Sequence, residues 1–236
     1  CKWGVFDYSQ QEPRLVVHYA TLDQFPSVYD VVDAYNNEDV DFHQIVADMA
    51  QIPRLQAKTI NLGLFYGMGK NKLQAELGVD KDDASDLFSK YHEKVPFVKQ
   101  LMESTMDRAQ DSGKVRTLLG RLCRFHLWEP NQFGIHKPLK HEDALKEHGP
   151  GIRRAYTYKA LNRLIQGSAA DMTKKAMIEL YKEGIKPHIQ VHDELDISVE
   201  SAEHADKIKT IMEEAVTLEV PNKVDYESGP NWGNIK

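Results

Sequence analysis

Two aspartates carry the clearest chemical potential in this sequence, because each follows a short apolar run. Asp7 comes directly after Val5-Phe6, and Asp193 lies in a polar turn between the apolar stretches 189–191 and 195–199. A carboxylate at the end of a strand is raised to the sheet edge, where it can bind a hard metal ion such as Mg²⁺. Each aspartate alone also has a simpler interpretation, as a helix cap or as part of an ordinary turn. Their chemistry therefore depends on whether the fold brings them together.

A cationic helix is predicted over residues 54–66. Arg54, Lys58, Leu62 and Tyr66 are spaced four apart, so on a helix they form one stripe with about 6 Å between successive residues. Two cations at that separation match the length of a triphosphate, and the apolar pair beyond them suits a sugar and a base. The alternative is a surface helix with solvated cations, although such a helix normally separates its cations from its apolar face.

Together, the carboxylates and the cations meet the requirements of phosphoryl transfer to a nucleotide. Two Mg²⁺ ions about 3.5–4 Å apart can activate an attacking hydroxyl and hold a leaving phosphate. Positive side chains can neutralise the charge that develops on pyrophosphate. The combined pattern predicts a nucleotidyl-transfer site.

The composition is that of a globular protein from a reducing compartment. The chain has 236 residues, of which 41% are hydrophobic and 28% are charged. No run approaches the roughly 20 apolar residues of a membrane helix, and the first 30 residues lack the pattern of a signal peptide. Cys1 and Cys123 are too few for a disulfide framework. The predicted localisation is the cytoplasm.

Charge is distributed unevenly along the chain. The net charge is −6 overall, with −7 in residues 1–50, +4 in residues 51–125 and −3 in residues 126–236. The overall balance argues against a stand-alone nucleic-acid-binding protein. A locally positive middle segment can nevertheless face a polyanion, because local potential steers ligands as well as net charge does.

The hydrophobic spacing predicts an α+β fold, with a small antiparallel sheet and a helical block in the middle of the chain. Strands are predicted at 3–8 and in two hairpins, 113–125 and 189–199. Helices are predicted at 11–20 (delayed by Pro13), 25–35, 42–49, 54–66, 84–91, 96–109, 156–182 and 202–218. Residues 126–151 are polar and interrupted by prolines, so they are interpreted as an extended solvated loop.

Four motifs, in this order, resemble those of the family A DNA polymerases, the bacterial polymerase-I-like group with many phage members. Asp7-Tyr8-Ser9-Gln10-x-Glu12 resembles motif A, and Arg54-x3-Lys58-x7-Tyr66-Gly67 resembles motif B. Val191-His192-Asp193-Glu194 resembles motif C, and Gln166-Gly167-Ser168-Ala169-Ala170-Asp171 is similar to the family's Gln-Gly-Thr-Ala-Ala-Asp segment.

The resemblance implies the palm of a right-hand polymerase, an antiparallel sheet with carboxylates, together with mostly helical fingers. It implies template-directed DNA synthesis, in which a nucleotide is transferred from a dNTP to a primer 3′-hydroxyl. The implied cofactors are two Mg²⁺ ions, for which Mn²⁺ can substitute. The segments 57–59 and 64–67 look most like the phage members, which would place the protein in the host cytoplasm.

The resemblance also implies roles for individual residues. Asp7 and Asp193 would bind the metal ions, with the backbone carbonyl of Tyr8 as a further ligand. Arg54 and Lys58 would be catalytic, Lys58 as proton donor to the leaving pyrophosphate. The residues implied to bind the nucleotide are Gln10, Glu12, Arg54, Lys58, Leu62 and Tyr66, with Glu12 beneath the sugar, where it would exclude a 2′-hydroxyl. The residues implied to contact primer–template DNA are Asn162, Gln166, His192 and Glu194, of which Glu194 is not assigned as an obligatory metal ligand.

The resemblance covers only the later part of such a polymerase. It implies palm at 1–50 and 156–236, fingers at 51–125 and a connection at 126–155, without thumb or exonuclease domain. We therefore expect a second polypeptide that supplies the thumb, the remaining palm and an exonuclease domain, and whose palm strands would pair with the first strand of this chain. A split gene, processing or protein splicing would each produce such a chain, and Cys1 suits the residue after an intein junction.

Some positions depart from the family pattern. Gln11 and Pro13 stand where Ile and Leu are common, so the start of that helix is expected to be distorted. Leu62 replaces an aromatic residue, which puts sugar discrimination and incorporation speed in question. Tyr158 stands where an Arg is expected, with Lys159 beside it.

Three other functions are alternatives to DNA synthesis. A single-subunit RNA polymerase has similar carboxylates and a similar fingers helix, but Glu12 argues against ribonucleotides. A non-catalytic nucleic-acid-binding accessory half would retain the motifs without their activity. An unrelated phosphohydrolase would need more His and Asp ligands than the sequence offers.

Overall fold

The computed structural model of the chain describes residues 1–37, 40–65, 70–132 and 134–235. The chain forms two compact units, the first from residues 1–45 and 166–236 and the second from residues 46–165. Both combine helices with antiparallel strands, which agrees with the predicted α+β class. The predicted division into palm, fingers and connection remains a prediction.

The elements are named here in chain order. The strands are β1 (Lys2–Tyr8), β2 (Lys114–Arg116), β3 (Leu122–Arg124), β4 (Trp128–Pro130), β5 (Ile152–Arg154), β6 (Ile189–Val191), β7 (Glu194–Val199) and β8 (Val224–Gly229). The helices are α1 (Gln11–Leu22), α2 (Tyr29–Asn37), α3 (Phe42–Ala50), α4 (Arg54–Phe65), α5 (Lys70–Leu77), α6 (Lys81–Lys94), α7 (Pro96–Ser112), α8 (His141–His148), α9 (Ala160–Lys182) and α10 (Ala202–Glu214).

The first unit is built on a four-stranded antiparallel sheet in the order β6-β7-β1-β8. One face of the sheet is apolar, because Phe6 lies opposite Leu195 on β7 and Tyr226 on β8. The rings of Phe6 and Tyr226 stack with their centroids 4.8 Å apart. The alternate residues of β1, including Asp7, point to the opposite face.

The position of β1 corrects one sequence-based expectation. We expected strands of a second polypeptide to pair with the strand that contains Trp3. In the structure Trp3 pairs with Ser198 on one side and with Gly229 on the other. The expectation was wrong because both neighbours of β1 come from the C-terminal third of the same chain, a pairing that local sequence patterns do not encode.

Helix α1 begins at Gln11, within motif A, without the delay or distortion expected from Pro13. Gln10 precedes the helix in the left-handed conformation, with φ 54°, and its carbonyl accepts the N–H of Arg14 over 3.1 Å. Pro13 is the third residue of the helix. A proline is tolerated there because the first N–H groups of a helix have no intrahelical acceptor.

The second unit packs helices α4 to α7 around a buried tyrosine. Tyr91 of α6 is fully buried and its hydroxyl donates to the side-chain carbonyl of Asn61 on α4, which is also fully buried. Phe97 and Leu101 of α7 are also fully buried. The sequence analysis did not predict α5, the short and mostly polar helix after residue 69.

Residues 126–155 are more ordered than the predicted solvated loop. Strands β4 and β5 pair antiparallel, and α8 follows the first of them. Trp128 anchors the segment, since the guanidinium of Arg154 lies 4.5 Å from its ring centroid and the His141 ring approaches edge-on at 4.7 Å. The prediction was wrong because one cation–aromatic cluster holds a segment that has few apolar residues.

The predicted helix at 156–182 is also shorter than expected. A 3-10 turn occupies Thr157–Lys159, and α9 starts at Ala160. No helix among the described residues is long and apolar enough to cross a membrane.

Candidate active site

Three carboxylates lie in register across the end of the sheet in the first unit. Asp7 of β1 pairs with Glu194 of β7 on one side and with Asp225 of β8 on the other. Directly paired residues of antiparallel strands share a face, so all three side chains point to the face opposite the apolar core. Asp7 and Asp225 are exposed, whereas Glu194 is buried.

Asp193 reaches the same end of the sheet from the β6–β7 hairpin. Val191 pairs with Glu194, so His192 and Asp193 form a two-residue turn. The backbone N–H of Tyr8 donates to the carbonyl oxygen of Asp193 over 3.3 Å. The structure thus brings together the two aspartates that the sequence analysis proposed as metal ligands.

The turn that carries Asp193 has an unusual backbone. His192 has φ 54°, a left-handed conformation that is uncommon for residues other than glycine and costs free energy at a side-chain-bearing position. Left-handed residues are frequent in two-residue hairpin turns, because positive φ matches the twist of the flanking strands. Asp193 is the next residue of this turn and lies directly before β7, which begins at Glu194.

Burial raises the pKa of the Asp193 carboxyl above its ordinary value. Removal from water is the main cause, and the nearby Glu194 carboxylate acts in the same direction. A hydrogen bond from the backbone N–H of Asp193 and the charge of His192 oppose the shift. A cation bound beside Asp193 would favour its ionised form, as an opposite charge does at any carboxylate.

The donor set suits a hard divalent cation. Within the described ranges no group of three or more His, Cys, Asp or Glu side chains is arranged to hold a metal ion. Asp7 and Asp193 nevertheless offer two oxygen ligands on adjacent backbone segments. Mg²⁺ is usually bound by one or two carboxylates together with waters and substrate phosphates, and not by a full protein cage. The two aspartates therefore fit the ion that the motifs predict.

Tyr8, whose carbonyl was predicted as a further metal ligand, is anchored on the core side of the sheet. Its hydroxyl donates to the backbone carbonyl of Met212 on α10, and its side chain is buried. Burial raises the pKa of the Tyr8 hydroxyl well above its usual value, so the group remains a hydrogen-bond donor. This anchor holds the end of β1 against α10 directly beside Asp7.

Gln10, predicted to bind the nucleotide, has its side-chain amide engaged within the first unit. Its nitrogen donates to the carbonyl of Val40 over 2.8 Å. Its oxygen accepts the Tyr35 hydroxyl over 3.1 Å and the Phe42 N–H over 2.7 Å. The amide therefore joins the start of α1 to α2 and α3, and its nucleotide-binding role remains a prediction.

Arg14 fastens the loop between β1 and α1. Its guanidinium donates to the carbonyls of Ser9 and Pro221 and lies 4.6 Å from the ring centroid of Tyr35. Glu12, predicted to lie beneath the sugar, is half-buried in the first turn of the same helix. The contacts of Arg14 thus hold the backbone that presents Glu12.

In the second unit, α4 places the two predicted cations on its solvent side. Arg54 and Lys58 are exposed, while Ala57 and Ile60 between and beyond them are buried. Residues four apart on a helix are neighbours on its surface, so the predicted cation pair exists as a surface feature. Leu62 is half-buried on the same helix, and Tyr66 lies outside the described residues.

Helix α9 carries the two residues predicted to reach the primer–template. Asn162 is half-buried and Gln166 is exposed, one helical turn further along α9. His192, predicted to sit near the primer terminus, is exposed in the hairpin turn, and its neighbour Glu194 is buried. The contacts of these four residues with primer–template DNA remain predictions.

The sequence analysis missed two features of the chain. Asp225 completes the carboxylate row on β8, and the alternation of Val224 and Tyr226 with Asp225 and Glu227 was the available signal. Residues 112–128 and 148–165 each contain four Lys or Arg residues and no Asp or Glu. The net charges of residues 51–125 and 126–236 do not reveal this basic region, because it extends across residue 125.

Comparison with known proteins identifies the class to which this site belongs. The family model described as DNA polymerase family A matches residues 2–234. The chain therefore belongs to DNA polymerase family A, and the family resemblance is confirmed.

Individual relatives include phage and bacterial enzymes. The DNA-directed DNA polymerase of Pseudomonas phage M6 is 35% identical over 274 residues, covering 98% of this chain and 38% of the phage protein. DNA polymerase I of Geobacillus stearothermophilus is 33% identical over 247 residues, covering 99% of this chain and 26% of that protein. The chain thus spans well under half the length of these curated relatives.

A solved structure is similar over the whole chain. It is the POL domain of Pol1 from M. smegmatis in complex with DNA primer-template and dNTP. The two share 26% sequence identity with a TM-score of 0.77, and the match covers 100% of this chain and 40% of that one. The predicted fold class, an α+β part of a polymerase domain, is confirmed.

Proposed function

We propose that this chain carries out template-directed DNA synthesis, transferring a nucleotide from a dNTP to a primer 3′-hydroxyl. The observation that carries the proposal is the proximity of Asp7 and Asp193 at one sheet end, linked through the Tyr8 N–H. Membership of DNA polymerase family A supports it.

Asp7 and Asp193, with the Tyr8 carbonyl, are the residues proposed to hold two Mg²⁺ ions, which Mn²⁺ can replace. When bound, such ions activate the attacking hydroxyl and stabilise the leaving pyrophosphate. The protein's contribution is to hold the carboxylates in place before substrate arrives. The β1–β7 register and the Tyr8 anchor on α10 perform that task.

Arg54 and Lys58 are proposed to bind the triphosphate from α4. Both are exposed and one turn apart, so their charges can contact successive phosphates, with Lys58 donating a proton to the leaving pyrophosphate. The remaining residues proposed to contact the nucleotide are Gln10, Glu12, Leu62 and Tyr66. Glu12 selects deoxynucleotides, because a half-buried carboxylate beneath the sugar disfavours a 2′-hydroxyl.

Asn162, Gln166, His192 and Glu194 are proposed to contact the primer–template. The solved POL domain was bound to DNA primer-template and dNTP, which supports the same ligands for this chain. We further propose that a second polypeptide supplies the thumb, the remaining palm and an exonuclease domain.

The test is single-nucleotide addition to a labelled primer–template in the presence of Mg²⁺, by the chain alone and by the chain mixed with the rest of the phage M6 polymerase. Asp7→Asn and Asp193→Asn should each reduce the rate by about 10³-fold, as loss of a group that stabilises developing charge does. Glu227→Gln is the matched control, because this exposed carboxylate lies on the same face of β8.

Several results would contradict parts of the proposal. Full synthesis by an Asp193→Asn chain would favour a non-catalytic accessory role. Equal use of rNTPs and dNTPs would favour an RNA polymerase-like activity and remove the proposed role of Glu12. Processive synthesis by the chain alone would exclude the need for a second polypeptide.

A further inference from the structure

Two exposed tyrosines flank a lysine ammonium at the start of α9. The Lys159 Nζ atom lies 5.1 Å from the ring centroid of Tyr156 and 5.5 Å from that of Tyr158. Tyr156 is 36% exposed and Tyr158 is 51% exposed. The ammonium therefore contacts both rings while much of each ring remains available to solvent and ligands.

The tyrosine–lysine cluster (Tyr156, Tyr158 and Lys159) stands on an ordered base. Tyr156 has φ 64°, a strained conformation for an aromatic residue, and its carbonyl accepts the N–H of Lys159 over 2.9 Å. Just before the cluster, the N–H of Ala155 donates to the Leu127 carbonyl over 2.9 Å. Just after it, Ala160 is buried against Phe125 in a small apolar core. The backbone of the cluster is therefore fixed by a hydrogen bond before it and by apolar packing after it.

The sequence around the cluster is rich in cations. The cluster lies within residues 148–165, which carry four cations and no acidic residue, and residues 112–128 have the same composition. The structure joins these two segments. Arg163 donates to the carbonyl of Arg124 over 3.0 Å and lies 4.6 Å from the ring centroid of Phe125. In a chain of net charge −6, this is a local surface suited to a polyanion.

We propose that the tyrosine–lysine cluster is a stacking platform for unpaired nucleotides of the DNA template. Exposed aromatic rings bind the faces of unstacked bases, and adjacent cations bind the phosphates of a single strand. The base faces of a duplex are covered by neighbouring base pairs, so the platform favours the single-stranded template over the paired region. The inference rests on the proposed function, since it assumes that the polyanion is a polymerase template.

The experiment measures binding of the full chain to two labelled DNAs by fluorescence anisotropy. One is a blunt duplex, and the other is the same duplex with a single-stranded 5′ template extension. Wild type should bind the extended DNA more tightly. Tyr158→Leu should weaken that binding about 5-fold or more while leaving blunt-duplex binding unchanged. Tyr158→Phe should keep the preference, because it retains the ring.

Further variants separate stacking from charge and from general surface effects. Lys159→Gln should lower the slope of log affinity against log salt concentration by about 0.7 on the extended DNA, the value for one single-strand phosphate contact. Tyr181→Leu is the matched control, because Tyr181 is an exposed tyrosine near the C-terminal end of α9, away from the cluster. It should bind both DNAs like wild type. Thermal unfolding of each variant checks that the fold is retained.

The inference is overturned if wild type shows no preference for the extended DNA, or if Tyr158→Leu weakens both DNAs equally. It is also overturned if Tyr158→Leu binds like wild type. Its failure is distinguishable from failure of the proposed function, which is measured as nucleotide addition and not as binding. If wild type shows no preference for the extended DNA but Asp193→Asn still reduces nucleotide addition, this inference fails and the proposed DNA synthesis stands.

Discussion

The backbone N–H of Tyr8 donates to the backbone carbonyl of Asp193, two residues that lie 185 positions apart in the chain. This bond continues the β1–β7 ladder one step past the pairing of Asp7 with Glu194. The register of the sheet therefore holds the backbone of Asp193 beside Tyr8, the residue that follows Asp7. The two aspartates thus lie on neighbouring backbone segments at one end of the sheet.

The left-handed backbone at His192 predicts that a glycine variant at this position is more stable than an alanine variant. His192→Gly and His192→Ala both remove the ring, but only alanine retains a Cβ at φ 54°. We expect the glycine variant to be the more stable of the two by about 1–2 kcal/mol, measured by chemical denaturation. Lys186 is the control, because it is exposed in the loop before β6 and does not have a positive φ. There alanine should be at least as stable as glycine, and the same order at both positions would contradict the prediction.

The hydrogen-bonded, half-buried amide of Gln10 predicts a loss of stability when it is removed. Gln10→Ala takes away the acceptor of the Phe42 N–H and the donor to Val40. We expect a loss of about 1–3 kcal/mol in the free energy of unfolding. Exposed Gln100 on α7 is the control, and its alanine variant should change stability by less than about 0.5 kcal/mol. A raised KM for dNTP with unchanged stability would instead support a direct contact between Gln10 and the nucleotide.

The hydrogen bond between Tyr91 and Asn61 predicts a stability effect in the second unit. Burial raises the pKa of the Tyr91 hydroxyl well above its usual range, so the group stays a donor at all accessible pH values. Tyr91→Phe should destabilise the chain by about 1–3 kcal/mol, because the buried Asn61 oxygen loses this partner. Tyr181→Phe, at an exposed tyrosine, should have little effect. Equal denaturation midpoints for the two variants would contradict the prediction.

His18 predicts a pH dependence of stability. It is buried in α1, and its Nδ1 accepts the N–H of Glu219 over 3.2 Å. Burial lowers the pKa of His18 below its ordinary value of 6.5, with the charge of Glu219 opposing the shift. Below pH 6.5 the unfolded chain therefore binds a proton at His18 more readily than the folded chain does. The contribution of neutral His18 to the free energy of unfolding is complete above pH 6.5 and is lost as the pH falls below that value.

The measurement is thermal unfolding of wild type and His18→Gln between pH 5 and pH 8. The variant should lose less stability on acidification than wild type, because it lacks this titration. His204→Gln is the control, since His204 also accepts a backbone N–H through Nδ1 but is only half-buried. Its pH profile should follow that of wild type. Identical profiles for wild type and His18→Gln would refute the assignment.

Local patterns were sufficient to predict the parts of the site that lie within single elements. The apolar run before Asp7, the hairpin around Asp193 and the helix from Arg54 all appear where the sequence placed them. Each depends on spacing within about a dozen residues. The meeting of Asp7 with Asp193 followed from the family resemblance, because residue spacing alone contains no information about which strands become neighbours.

Non-local features were not predictable in the same way. The central position of β1 results from pairing with Val199 and Gly229 at the far end of the chain. The fold of residues 126–155 depends on Trp128 packing against Arg154, two residues that no periodic pattern connects. The basic surface likewise joins two segments that are separate in sequence. Each is a consequence of tertiary packing, which cannot be predicted from composition and periodicity.

The topology of the chain also imposes an order on its synthesis. The second unit is one continuous segment, whereas the first unit requires residues from both ends. Strand β1 leaves the ribosome with neither of its sheet neighbours available. At about 5–20 residues per second, the wait until β8 has been translated is on the order of 10–40 s. During that interval the apolar face of β1 must be shielded by other means, and Asp7 and Asp193 become neighbours only after β7 has been made.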